Sequence, residues 1–284
     1  HTPILSATIP VHRQAGVPEA GRGCYRIQIL LPPVVASHTV AMSIRKQFLR
    51  GMTLADYQDQ GAFDTVNAAH QRSVQSQLCA LYKTQQWSAF LRAAVVMHQN
   101  IVISAGTNAG KTTLLNTLLN EVPSTERIIT IEDAREITLA HPNCLHLLYS
   151  RGGLGVGQVT PIDLLQAVLR LAPDRAIMGE LRGEEAYAYL ELLNSGHQGS
   201  MTTIHADSPE RMFDRLAQMV MRFGSPLTKT QIVAYAQSLI HVVVQCQRDQ
   251  DGRRFISHIR YVGCEADVWP DAEAHSANDP LGEF

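Results

Sequence analysis

The sequence predicts an α/β protein whose core is a mainly parallel sheet, preceded by a small, mostly β domain, and three observations carry that expectation. From Trp87 onward, apolar runs of strand length alternate with helical patterns, the signature of a sheet covered by helices. One of those strands passes through a Gly-containing turn directly into a helix. Before residue 47 the chain offers only short strand-like runs broken by Gly, Pro and Ser.

Within the first domain, placed at 1–47, LSATIPV, CYRIQILL and TVAMSIRK read as a β-meander. About fifty residues make a marginal core. The first residues already lie inside an apparent strand, so this domain is expected to be incomplete at its start. Residues 48–84 are polar and weakly periodic, which suits a linker with some helix, and its length is unusual within one compact unit. The second domain, 85–284, reads as helix 86–97, strand 100–104, helix 112–122, strand 127–132, strand 144–149 and helix 161–171, then strand 175–179, helix 184–194, strand 200–205, helix 208–222 and helix 228–238. HVVVQCQ and RFISHIRYVG follow as a closing hairpin, and the acidic tail ADVWPDAEAHSANDPLGEF is expected to fray.

The turn between the strand NIVIS and the helix TLLNTLLNEV is AGTNAGKTT, one residue away from GxxxxGK followed by Ser or Thr. That pattern wraps backbone N–H groups around phosphate oxygens, sends a Lys to the β and γ phosphates and places a hydroxyl on Mg²⁺. Gly106, Thr107, Asn108, Ala109, Gly110, Lys111, Thr112 and Thr113 form the candidate nucleotide cradle, with Lys111 catalytic and Thr112 on the metal. Ala105 replaces the first glycine, at a strand end where ordinary backbone geometry suffices. Asn108 visits the left-handed region more readily than most residues with a side chain, so the loop can still close. ATP and Mg²⁺ are the expected ligands.

In α/β sheets catalytic groups gather at the carboxyl ends of strands. RIITIED brings Glu132 and Asp133 to one such end, AIMGE brings Glu180 to another, and SMTTIHADS brings His205 to a third. Glu180 suits the second acidic group of a nucleotide hydrolase, holding a metal-bound water or polarising the attacking water. Glu132 competes for the general-base role, and residue order does not rank the two. His197 and His205 lack the spacing of a helical zinc site, and hydrogen bonding to a γ-phosphate or to the catalytic glutamate suits them better. Arg45, in SIRK, is a candidate cation for the γ-phosphate, because one loop lysine usually needs help in the transition state.

Other readings find less support. The net charge of −2 gives no global basic field, so no direct DNA binding is expected. Five widely spaced cysteines with no CxxC suggest neither a disulfide framework nor a zinc module, and point to a reducing compartment. No apolar run reaches a membrane span and no signal-peptide pattern opens the chain, so a cytoplasmic location is expected. RGGLGVG does not follow GxGxxG and reads as a mobile loop, while His141, Cys144 and His146 read as loop and strand residues. Two further classes stay open, a nucleic-acid motor and an ATP-binding regulator without turnover.

The order of AGTNAGKTT, RIITIEDAREI, LRLAPDRAIMGELRGEEA and NSGHQGSMTTIHADSPERM closely resembles the secretion ATPases of type II and type IV secretion and type IV pili. It covers the chain from about residue 84 to about 245. The meander ending in SIRK, followed by TLADYQDQGAF, is similar to the type IV secretion branch, and no tetracysteine module of the type II branch is found. Ala105, Asn108 and the short first domain depart from the family pattern. The resemblance implies a RecA-like core in a homohexameric ring with nucleotide between the two domains. It also implies a dock at the cytoplasmic face of an inner-membrane channel, held there by partners that include the system's other ATPases. By the same resemblance Lys111 and Thr112 bind phosphate and Mg²⁺, Glu132 and Glu180 act on water and metal, and His205 reports the γ-phosphate.

Overall fold

A computed structural model describes residues 3–10, 24–46, 52–64, 66, 70–150 and 159–264. The RGGLGVG loop and the acidic tail lie outside the described residues. Strands β1 (Ile4–Pro10), β2 (Cys24–Leu30) and β3 (Ala41–Lys46) form an antiparallel meander in that spatial order, with Arg26 opposite Arg45. Leu30, Val34, Val35 and Ala41 are buried in the large apolar cluster of the main sheet, and the Val34 carbonyl accepts the amide of Leu148 at 2.8 Å. The small sheet is therefore packed onto the large one, while Met42 and Ile44 stay exposed.

The connecting segment contains α1 (Leu54–Asp59), which starts at a Thr53–Asp56 capping box and buries none of its residues. Helix α2 (His70–Lys83) packs on α3 (Trp87–Val96), and Leu78 sits in the same buried cluster as Phe90, Ile101 and Leu115. Cys79 of α2 is bonded to Cys264, 185 residues later. This corrects the expectation that the cysteines form no disulfide: spacing in sequence says nothing about two thiols that only the fold brings together. Cys144 and Cys246 remain thiols.

The large sheet runs β10-β9-β4-β8-β7-β5-β6. It contains β4 (Ile101–Ala105), β5 (Ile128–Glu132), β6 (Cys144–Leu148), β7 (Arg175–Leu181), β8 (Met201–His205) and β9 (Val242–Arg248), all parallel, closed by the antiparallel β10 (Arg254–Tyr261). Strands β4 and β5 are buried at every position, so they read as continuous apolar runs rather than alternating ones. Helices α4 (Lys111–Leu119), α5 (Pro161–Val168), α6 (Glu185–Asn194), α7 (Pro209–Arg222) and α8 (Lys229–Leu239) cover it. Several elements differ from their expected bounds, among them α4, which ends at Leu119 rather than at 122. Helix α5 ends by Leu169 rather than at 171, since Ala172 takes φ +50° and Pro173 follows. Strand β7 continues to Leu181 through a register shift against β8 between Met178 and Leu181, which places Gly179 and Glu180 in a bulge.

Candidate active site

The loop after β4 closes as its residue types allow. Ala105 is the buried last residue of the strand, and the positive φ values fall on Asn108 (+59°) and Gly110 (+89°). Gly110 caps α4 without a side-chain hydrogen bond, so the first-turn amides of that helix face the loop with no side-chain acceptor. Lys111 is buried, and its Nζ lies 3.3 Å from both ring nitrogens of His205 and 3.5 Å from the Gly106 carbonyl oxygen. Burial lowers the pKa of this amine, an effect opposed by the charge of Glu180. The hydroxyl of Thr112 donates to Glu136 Oε2 at 3.0 Å, and Thr113 is exposed beside it.

The β7 bulge aims Glu180 toward this cluster. Its Oε2 accepts from Arg182 at 2.7 Å, and Arg182 also donates to Asp133 at 2.8 Å. Glu180 Oε1 lies 3.1 Å from His205 Nε2, yet it is buried with no directed hydrogen bond. Burial lowers the pKa of His205, with Lys111 and Arg182 adding to that and Glu180 opposing it. The backbone just after His205 is anchored, since Ser104 Oγ and Gln245 Nε2 both donate to the Ala206 carbonyl, at 3.3 and 3.0 Å.

Glu132 occupies a different position from the one its residue type suggests. Its carboxylate is 3% exposed, and Oε1 accepts the amides of Glu136 and Ile137 at 2.9 and 2.8 Å. Burial raises its pKa against those hydrogen bonds. It organises the acidic loop, and Glu136, four residues on, reaches Thr112 instead. Sequence reasoning missed Glu136; its spacing from Glu132 within EDARE was the signal available.

Two expected site residues do not join the cluster. His197 precedes β8 and lies at its amino end, its Nδ1 3.0 Å from Ser195 Oγ, whereas His205 ends the strand. Five residues of strand, about 16 Å, separate the two ends, so His197 lies away from the loop of its own chain. Arg45 lines a cavity of roughly 680 Å³ with Ser6, Arg26, Gln28 and Arg170, and none of the loop residues 106–113 borders it. A second cavity, of roughly 520 Å³, does adjoin the loop and is bordered by Gly106, Thr107, His205, Asp207, Arg211 and Arg215.

The arrangement fits a metal-assisted attack on a nucleoside triphosphate. A loop with two left-handed residues and unclaimed helix amides suits phosphates. The buried Glu180 oxygen with no directed hydrogen bond and the Thr112 hydroxyl in the first turn of α4 are oxygen groups of the kind a hydrated Mg²⁺ takes. Residues 60–272 match the family described as Type II/IV secretion system protein. Over 274 residues the chain is 34% identical to the type IV secretion system protein VirB11 of Bartonella quintana (strain Toulouse), covering 91% of this chain and 73% of that protein. It is 37% identical over 268 residues to VirB11 of Brucella suis biovar 1 (strain 1330), covering 91% and 71%. The crystal structure of the VirB11 ATPase from the Brucella suis type IV secretion system in complex with sulphate is similar with a TM-score of 0.76, at 36% identity, covering 91% of this chain and 76% of that one.

Proposed function

The chain belongs to the type II/IV secretion system protein family, and we propose that it hydrolyses ATP, with Mg²⁺, as a homohexameric motor of a type IV secretion system. One observation carries the chemistry: the Lys111 amine, the Glu180 carboxylate and the His205 imidazole converge at the carboxyl ends of β4, β7 and β8. In this reading the loop amides and Lys111 grip the β and γ phosphates. Thr112 and Glu180 would hold Mg²⁺, with Glu136 hydrogen-bonded to Thr112, and the metal would supply positive charge to the triphosphate. Glu180 orients and deprotonates the attacking water, and His205, held neutral by burial, senses the γ-phosphate through Lys111 and Glu180. Glu132 serves by shaping the loop that carries Glu136.

Arg45 completes the site of a neighbouring subunit. Support for that reading comes from its position in a cavity shared with Arg26, away from its own loop. The ring docks at the cytoplasmic face of the inner membrane through the other ATPases and channel components of the system, and no helix among the described residues is long and apolar enough to cross a membrane. Measuring ATP turnover of the purified chain tests the core of this proposal. Lys111→Ala is expected to abolish hydrolysis, and Glu180→Gln to keep nucleotide binding while losing most turnover; wild-type rates in either variant would overturn its assigned role.

A further inference from the structure

The loop 105–113 departs from the usual pattern at Asn108, and the fold places one side chain on that residue from two strands away. Strand β9 runs parallel to β4, with Cys246 opposite Ala105, so the β9–β10 turn lies at the same end of the sheet as the phosphate-binding loop. Arg254, the first residue of β10, reaches back over β9, and its Nε donates to the carbonyl of Asn108 at 3.0 Å. Its Cδ lies 3.1 Å from where a Cβ on Gly110 would stand, so the stem of the same side chain covers the second left-handed residue.

A peptide unit is planar and trans, so its C=O and N–H point in opposite directions. Fixing the Asn108 carbonyl on Arg254 therefore turns the amide of Ala109 away from Arg254. We propose that Arg254 is a positioning residue for nucleotide binding: by holding the 108–109 peptide it aims the Ala109 amide into the phosphate cradle of a loop whose first glycine is replaced by Ala105. Asn108 takes a left-handed backbone that side chains disfavour, and an external hydrogen bond on its carbonyl offsets that strain. Arg254 touches neither γ-phosphate chemistry nor the carboxylates, so its effect belongs to affinity. The proposal rests on the loop being the nucleotide site.

Calorimetric titration of Mg²⁺–ADP into the full chain, with ATP turnover and melting temperature measured alongside, tests it. Arg254→Ala is expected to weaken ADP binding at least tenfold and raise KM for ATP in parallel, with kcat within about twofold of wild type and the melting temperature unchanged. Arg254→Lys keeps the charge but has no Nε at the bonded position, and it is expected to bind ADP as weakly as the Ala variant. Unchanged ADP affinity in Arg254→Ala overturns the proposal. Recovery of affinity in the Lys variant also overturns it, since charge alone would then be the cause, and so does a loss that tracks a lowered melting temperature. A wild-type chain that binds no ADP sinks the nucleotide-site reading as well, whereas tight wild-type binding with no loss in the variants sinks this inference alone.

Discussion

At the scale of single residues, the same carboxylate type does two jobs according to what its oxygens meet. Glu180 keeps a buried oxygen without a directed donor, while Glu132 spends one oxygen on two backbone amides. Removing the Glu132 acceptor strands the buried Ile137 amide, worth about 1–3 kcal/mol, and the partly buried amide of Glu136. Glu132→Ala is therefore expected to lower the urea midpoint strongly, and Glu132→Gln, which retains an acceptor oxygen, to keep most stability and activity; equal stability of Glu132→Ala and wild type would refute the loop-shaping role. His241 illustrates a titrating residue with a purely structural task, because its Nδ1 accepts the Asn100 amide at 3.0 Å and so must be unprotonated. Burial lowers its pKa below the ordinary 6.5. The unfolded chain then takes up a proton first as pH falls, so this contribution is full above about pH 6.5 and is lost progressively below it. Melting temperatures measured between pH 7.5 and 5 are expected to fall less steeply for His241→Asn, whose oxygen accepts the same amide without titrating.

Among elements, strands and their carboxyl ends were legible because β4, β5 and β8 are short, rich in β-branched residues and bounded by polar turns. The antiparallel closing hairpin was legible for the same reason. The bulge in β7 was not, since it depends on how β8 registers against Met178 and Leu181, and it is the bulge that turns Glu180 inward. Arg254 was hidden likewise, because its contact with Asn108 spans 146 positions. Helix α7 depends on its start: Ser208 Oγ accepts the Arg211 amide at 3.2 Å and Pro209 opens the first turn, four residues after His205. Ser208→Ala is expected to cost about 1 kcal/mol by denaturant unfolding, and Ser208→Asp to restore it. A neutral Ala substitution would show that tertiary burial of Met212, Phe213 and Leu216 alone sets the helix start.

For the whole molecule, the proposal that Arg45 completes a neighbouring subunit's site makes a testable demand. Arg45→Ala alone is expected to lower turnover at least tenfold, about 1.4 kcal/mol of transition-state stabilisation, and Lys111→Ala alone to be inactive. Mixed rings of the two variants join an intact Lys111 from one chain to an intact Arg45 from the other, so part of the lost turnover is expected to return on mixing. No recovery in rings verified as mixed would place both groups in one chain's site or remove Arg45 from the chemistry. The Cys79–Cys264 bond has a consequence of another kind. It closes the backbone from α2 to the end of β10 into a covalent ring that contains every strand of the large sheet and every candidate catalytic residue except Arg45. In the chain-entropy picture a ring of that size removes about 5 kcal/mol of disorder from the unfolded state. A single cut anywhere between those cysteines leaves one molecule rather than two, and only reduction lets the pieces part.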